Sequence, residues 1–268
     1  MNVKILVTGS SGFIGTKLVE DLIKSGHDVL GCDLVPARIV DEHFTHFTID
    51  FTNMNELCRL FDSSKQIDVC YHLGAVANLN YARVHPLETL QVNINGTQNI
   101  AHLCSMFNTT LNFVSTCCVY GNTTVHPSPE DSPYDPTEMY GCSKISAEYV
   151  VKGFNRLNGL KYNILRPSTV YGPSMRSALA VYIFINNLLK GDIIPIHGSG
   201  MQTRCFLYVD DLIDGFIRVL DKGVIGETFN FAGKDSVRVI DLARICGELV
   251  QGIFLQITLN TSKIEPDK

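Results

Sequence analysis

The chain of 268 residues has no tryptophan, no Cys-x-x-Cys pair and no run of basic residues. Its nine cysteines (Cys32, Cys58, Cys70, Cys104, Cys117, Cys118, Cys142, Cys205 and Cys246) are odd in number and scattered. A disulfide framework or zinc site is therefore not expected, and no metal site is read. Free thiols of this kind suit a reducing cytosol, so the expected location is cytoplasmic. A formal net charge of −5 without a Lys/Arg cluster excludes a nucleic-acid partner. Long apolar runs are missing too. "ALAVYIFINNLL" is too short to span a bilayer and carries two asparagines, so no membrane partner is read. "MNVKILVTG" runs straight into a strand pattern without the apolar core or cleavage site of a signal peptide. What is present is 45% hydrophobic residues on a chain long enough for one large or two small domains.

Short β-like runs alternate with helical patterns through the first half. "VKILVTG", "DVLGCD", "HFTID", "IDVCYHLGA", "LNFVST" and "YNILRPSTV" read as strands. "GFIGTKLVEDLIKSG", closed by Gly26, reads as a helix, as do "NELCRLFDS", the long segment 86–107 after Pro86, and 138–158. Alternation of this kind predicts βαβ units and a Rossmann-type, doubly wound parallel α/β sheet. The dinucleotide-binding domain is expected over 1–167, with 204–222 returning to it. A smaller interleaved substrate lobe is expected over 168–203 and 223–268. "SVRVIDLARICGELVQ" reads as a helix with Ser236 at its N-cap.

"TGSSGFIG" places Gly9, Gly12 and Gly15 between the first strand and the first helix. Glycines there let the backbone approach a pyrophosphate, and the helix N-terminus favours its charge. Gly9, Gly12, Phe13, Ile14 and Gly15 are thus candidate cofactor contacts. Asp33 ends the second strand, eighteen residues after Gly15. A carboxylate there can accept hydrogen bonds from ribose hydroxyls and would repel the extra phosphate of NADP. The expected cofactor is NAD.

In order and spacing, "TGSSGFIG", Asp50, "HLGAVA" (72–77), "VNINGT" (92–97), "STCCVYG" (115–121) and "YGCSK" (140–144) resemble the extended short-chain dehydrogenase/reductases. These are the NAD-dependent epimerases and dehydratases that act on nucleotide sugars. The resemblance runs from Val3 to about Phe231. It implies that Asp50 and Phe51 sit at the adenine and that Leu73, Gly74 and Ala75 line the middle of the cofactor. It further implies that Asn93 supports the active-site helix, that Pro167 packs near the nicotinamide and that Ser115 is a further cofactor contact.

Tyr140 and Lys144 lie four residues apart, on one face of an expected helix. A phenol titrates at about pH 10. A lysine ammonium and a positive nicotinamide ring beside it favour the phenolate. Tyr140 is then a general base for a sugar hydroxyl, and Lys144 can also hold the nicotinamide ribose. By resemblance, Thr116 is the third catalytic residue, bonding the reacting oxygen.

The vicinal pair Cys117 and Cys118 stands where 4,6-dehydratases of the family carry an Asp-Glu pair. Its decarboxylases carry a glutamate at the place of Cys118. The missing acids argue against both reactions, and small neutral residues there fit simple 4-epimerases. GDP-mannose 3,5-epimerases, however, use a cysteine at this place as an acid/base, so packing and catalytic roles for Cys118 both stand.

By resemblance, the substrate contacts are Thr116, Cys117, Cys118, Tyr140, Thr169 and Arg204. Arg204, in "QTRCFLYVDD", would pair with the diphosphate. Thr169 replaces the family's usual asparagine. "IIPIHG" (193–198) would pack against the nucleotide base, with His197 structural or at the rim. Family members continue past the equivalent of "TLNTSKIEPDK", which implies either a truncated chain or a shortened lobe.

The expected function is an NAD-dependent nucleotide-sugar epimerase acting at C4 through a transient 4-keto sugar, assembled as a homodimer through 86–107 and 138–158. The alternatives are a 3,5-epimerase-like enzyme using Cys118, another nucleotide-sugar dehydrogenase or dehydratase, a dehydrogenase of a non-sugar alcohol, and an NAD-binding sensor without sugar turnover.

Overall fold

Strands of four to six residues, rich in apolar side chains, build the sheet. The computed structural model describes residues 2–64, 66–123, 125–250 and the backbone of 257–260. Strands β1 (Lys4–Thr8), β2 (Asp28–Asp33), β3 (Phe44–Thr48), β4 (Val69–His72), β5 (Thr110–Val114) and β6 (Tyr162–Pro167) come first. They alternate with helices α1 (Phe13–Lys24), α2 (Met54–Ser63), α3 (Leu79–Val84), α4 (Pro86–Leu90), α5 (Gly96–Met106) and α6 (Met139–Asn158). Then follow β7 (Thr169–Tyr171), α7 (Ala180–Lys190), β8 (Ile194–His197), β9 (Thr203–Tyr208), α8 (Val209–Asp221), β10 (Thr228–Phe231), β11 (Ser236–Arg238), α9 (Val239–Leu249) and β12 (Ile257–Asn260).

Seven strands form one sheet in the order β10-β6-β5-β4-β1-β2-β3, and every pairing in it is parallel. This is the expected doubly wound sheet. Leu6, Leu57, Phe61, Ile100, Leu111, Phe113, Val151 and Ile164 form one apolar cluster from strands, α2, α5 and α6. Burying each such side chain contributes about 1.5–3 kcal/mol.

The chain divides into two compact units, Met1–Pro167 with Asp210–Phe231, and Ser168–Val209 with Ala232–Lys268. The returning segment is thus 210–231 rather than the expected 204–222. The reason is pairing: β9 belongs to a three-stranded sheet with β7 and β11, whereas β10 adds to β6. "YNILRPSTV", expected as one strand, is two: β6 ends at Pro167, and β7 begins at Thr169 in the second unit. In that unit β8 pairs with β12 in parallel, and α7 and α9 pack on Ile194 and Ile196.

Two further expectations change. The helical segment 86–107 is interrupted by a π-turn at Gln91–Asn95. Ser236 is not a cap: it pairs with Cys205 in β11, and Arg238 occupies the N-cap of α9 without a side-chain bond.

Candidate functional site

The connections of β1 and β4 leave the sheet in opposite directions, and crevices at such switch points, beyond the carboxyl ends of the strands, receive ligands. Here the glycine turn and the exit of β4 meet backbone to backbone. Gly9 has φ +70°, and a Cβ on it would lie 2.9 Å from the Gly74 nitrogen. A Cβ on Gly15 would lie 2.0 Å from the Gly9 oxygen. Only glycine fits either place. The N-cap of α1 is Gly12, with no side-chain cap bond and no acidic residue in the first turn. The amides around Phe13 and Ile14 are thus open to an anion. Asp33 holds the turn: its Oδ2 accepts the Ser11 N–H at 3.0 Å and its Oδ1 the Val35 N–H at 3.3 Å.

Asp50 accepts both the N–H and the hydroxyl of Thr52 at 2.8 Å. The Phe51 ring is turned into the core, with the residue 7% exposed, which leaves its main chain to border a ligand. A Cβ on Gly74 or Gly96 would come within 2.7 or 2.2 Å of that ring, and its edge meets His72 at 5.3 Å between centroids.

His72 lies in "HLGAVA" but was assigned no role from sequence. It sits in an ordered chain of hydrogen bonds. The Thr97 hydroxyl donates to the Asn93 carbonyl at 2.6 Å, so His72 Nε2 donates to Thr97 Oγ1 at 3.1 Å. His72 Nδ1 then accepts from the Thr8 hydroxyl at 2.6 Å, and Thr8 Oγ1 accepts the Gly74 N–H at 3.0 Å. Burial, with the Lys144 charge adding to it, pushes the His72 imidazolium down to about 3, so the ring is neutral. The π-turn aims Asn93 inward. Its side chain bonds both the N–H and the C=O of Val76, at 2.8 and 3.0 Å, and donates to Ser143 Oγ at 2.9 Å. Ser143 in turn donates to the Tyr140 carbonyl at 2.7 Å. Asn93 thereby ties the segment after β4 to the first turn of α6.

Tyr140 is half-buried at the start of α6, and Lys144 one turn later is buried. Lys144 Nζ donates to the Val114 carbonyl at 2.9 Å and stands 4.8 Å from the Phe113 ring centre. Burial pulls its ammonium down to about 7, with the Glu148 carboxylate opposing. Thr116 caps a 3₁₀ turn, Cys117–Tyr120, and its Oγ1 accepts the Cys118 N–H at 3.2 Å. The Cys117 thiol donates to the Arg166 carbonyl at 3.2 Å, whereas Cys118 is exposed. A Cβ on Gly141 would lie 2.9 Å from the Cys118 carbonyl oxygen. Glycine at that place lets the first turn of α6 press against the turn that carries both cysteines.

A buried ion pair lies behind these residues, and the sequence reading missed it. Glu148 is two turns beyond Tyr140 on the same stripe of α6 and is 0% exposed; Arg166, in β6, is 1% exposed. Glu148 Oε1 accepts from the Ser115 hydroxyl at 2.6 Å and from Arg166 Nε at 2.9 Å. Its Oε2 accepts from Arg166 Nη2 at 2.7 Å and from the Tyr134 hydroxyl at 2.9 Å. The remaining guanidinium hydrogens go to Tyr120 Oη, to the Glu130 carbonyl at 2.9 Å and to Tyr134 Oη at 2.6 Å. Burial, and then the Glu148 charge, raise the Tyr134 phenol and keep it a donor. Removing one partner of such a pair costs about 3–5 kcal/mol. The i, i+4 step from Lys144 to Glu148 was the available signal; nothing in the sequence pointed to Arg166.

In the second unit, Thr169 pairs with Phe206 between β7 and β9. Arg204 is exposed on β9, and its Nη1 donates to the Thr203 carbonyl at 2.8 Å. Ile194 and Ile196, expected to face a nucleotide base, are core residues of that unit because alternate β8 side chains point inward. Pro195 and His197 occupy the other face. Among the described residues no group of three or more His, Cys, Asp or Glu is placed to hold a metal ion. None of their helices is long and apolar enough to cross a membrane.

The parallel sheet and the glycine turn at its switch point define a Rossmann-type fold, and the Tyr-x-x-x-Lys stripe lies on α6 beside it. Residues 5–232 match the profile of the NAD dependent epimerase/dehydratase family, and the chain belongs to that family. NAD is the family's cofactor. UDP-glucuronic acid decarboxylase 1 of Xenopus tropicalis is 29% identical over 257 residues, covering 92% of this chain and 60% of that protein. The chain thus spans less than two thirds of that relative's length. UDP-glucose 4-epimerase of Thermotoga maritima, solved with UDP-glucose, is 28% identical and superposes with a TM-score of 0.92, over 98% of this chain and 87% of the other. UDP-glucuronic acid 4-epimerase of Bacillus cereus, solved with UDP-glucuronic acid and NAD, is 29% identical, with a TM-score of 0.88 over 96% and 86%.

Proposed function

We propose that this protein is an NAD-dependent nucleotide-sugar epimerase acting at C4. The observation that carries the reading is the stripe Tyr140–Lys144 on α6, pressed through Gly141 against the turn that begins at Thr116. In that turn thiols stand where an eliminating or decarboxylating enzyme would need carboxylates.

The residues present fit NAD. The uncapped first turn of α1, with Gly9, Gly12, Phe13, Ile14 and Gly15, would hold the pyrophosphate. Asp33 would accept from the ribose hydroxyls, and Asp50 with the main chain at Phe51 would border the adenine. Leu73, Gly74, Ala75, Ser115 and Pro167 would line the remainder, and Lys144 would hold the nicotinamide ribose. NAD, when bound, supplies a reversible hydride acceptor.

The chain's own residues handle the proton and the oxygen. Tyr140 takes the proton of the sugar 4-hydroxyl. Thr116 would donate to the same oxygen: its Oγ1 accepts the Cys118 N–H, and its one hydrogen can be turned to the sugar. The 4-keto sugar turns its other face, and Tyr140 returns the proton. Arg204 and Thr169 would bind the diphosphate and sugar. Nine free thiols suit a cytoplasmic enzyme.

A second reading has one observation in its favour: Cys118 is exposed while Cys117 is committed to Arg166. An exposed thiol beside Thr116 could exchange protons at C3 or C5 of a 4-keto sugar. Incubation with a panel of nucleotide sugars, followed by proton NMR of the products, tests the proposal. A 4-epimer from at least one member supports it, and unchanged substrates throughout refute it.

A further inference from the structure

We propose that the buried Glu148–Arg166 pair is a positioning device that sets the Thr116 turn against the Tyr140–Lys144 stripe of α6. The proposal rests on the catalytic roles given above to those three residues.

Three contacts tie the strand end and turn, 114–118, to one stripe of α6. Glu148 accepts from Ser115 at 2.6 Å, Lys144 donates to the Val114 carbonyl at 2.9 Å, and Gly141 admits the Cys118 carbonyl. Thr116 lies between the outer two contacts. The Glu148 contact is braced from several other segments at once. Arg166 grips both carboxylate oxygens from β6. Arg166 also reaches Tyr120 at the far end of the 3₁₀ turn, and its own carbonyl accepts the Cys117 thiol. Tyr120 continues to Asn230 of β10 at 2.8 Å. Tyr134 and Glu130 anchor the returning loop to the same guanidinium.

Each of the five guanidinium hydrogens has an acceptor, and the carboxylate accepts four bonds. In such a network no member shifts without leaving a buried charge under-solvated. The turn that presents Thr116 therefore has one position relative to Tyr140. Neither Glu148 nor Arg166 contacts the reacting atoms in this account, and both act through Ser115 and the turn. Proximity of this kind is sensitive to small displacements, since a misplacement of about 1 Å can cost about 10²-fold in rate.

The test uses the full chain with NAD and three variants: Glu148→Gln, Ser115→Ala and Tyr134→Phe. Glu148→Gln keeps the shape and removes the charge. Ser115→Ala removes the Glu148 contact to the turn and remains informative if Glu148→Gln fails to fold; NAD titration of this variant separates lost placement from the cofactor contact given to Ser115. Tyr134→Phe removes one donor to Glu148 and one acceptor of Arg166 but leaves the Ser115 contact in place. The proposal expects kcat to fall by about tenfold to a hundredfold in the first two and less in the third, with the nucleotide-sugar KM within about threefold of wild type.

Amide hydrogen exchange gives a readout that needs no turnover. The Cys118 and Val119 N–H groups, bonded to Thr116 in the native turn, should lose protection while those of β1 and β2 keep theirs. Protection lost uniformly through the sheet, or an unchanged kcat in folded Ser115→Ala, overturns the proposal. If the wild type turns over no nucleotide sugar, the proposed function fails separately, and the exchange pattern still decides whether Glu148 places the turn.

Discussion

Thr116 Oγ1 accepts the backbone N–H of Cys118 at 3.2 Å, which fixes the oxygen at the head of the turn it caps. An oxygen already accepting from the turn it caps has its hydrogen to give. In the proposed reaction Thr116 donates that hydrogen to the reacting sugar oxygen, opposite Tyr140 as acceptor of the proton. Thr116→Val keeps the shape and removes the donor. It should lower kcat by about 10²-fold. Tyr140→Phe should lower it by about 10²–10⁴-fold while NAD still binds. Steady-state rates with the active nucleotide sugar check both, and near-normal turnover in Tyr140→Phe would place the base elsewhere.

Asp33 holds Ser11 and Val35 by its carboxylate oxygens, and in the proposed cofactor site it would also repel a ribose phosphate. Asp33→Ala would confuse the two by loosening the turn. Asp33→Asn keeps an acceptor and removes the charge. Wild type should bind NAD in strong preference to NADP, and Asp33→Asn should narrow the gap, mainly by improving NADP. Titration with both dinucleotides measures this, and equal affinities in wild type would remove the role given to Asp33.

The neutral His72 makes the fold sensitive to acid. Its folded value is about 3 against an ordinary 6.5, so between these the unfolded chain binds more protons than the folded one. The contribution is full above about pH 6.5 and is lost as pH falls toward 3. Urea unfolding at neutral pH and at pH 5 should show the wild-type midpoint dropping more than that of His72→Gln, which does not titrate. Parallel drops in the two proteins would acquit His72.

Helices α4, α5 and α6 expose Leu87, Met106, Tyr149 and Leu157. These lie on the two segments expected to pair in a homodimer, a four-helix contact that would cover them. Light scattering over a range of concentrations should give twice the chain mass. Leu157→Glu should lower it toward the monomer, and a monomer mass at every concentration would contradict the assembly.

The parts of this molecule legible in its sequence are those written locally. The glycine turn, Asp33, and the Tyr140–Lys144 step each lie within a few residues of an element boundary, where spacing alone sets geometry. The π-turn was hidden because one wide turn hardly disturbs helical periodicity, yet it is what points Asn93 at Ser143. The Glu148–Arg166 network was hidden for a different reason. Its members come from β5, the loop after it, α6, β6 and β10, and only folding brings them together. The inward packing of the Phe51 ring was hidden as well, because only the bare backbones of Gly74 and Gly96 make room for it.

The central claim, epimerisation at C4 by internal return of hydride, is tested most directly by one reaction in heavy water. Wild type is incubated with the active nucleotide sugar in deuterium oxide, and the product is read by NMR and mass spectrometry. The account predicts a 4-epimer with no deuterium on carbon, and Cys118→Ala should give the same product at most of the wild-type rate. Deuterium at C3 or C5 of an intact sugar would make the exposed Cys118 a catalyst, and loss of carbon dioxide with deuterium in its place would make the enzyme a decarboxylase. Either result would contradict the account.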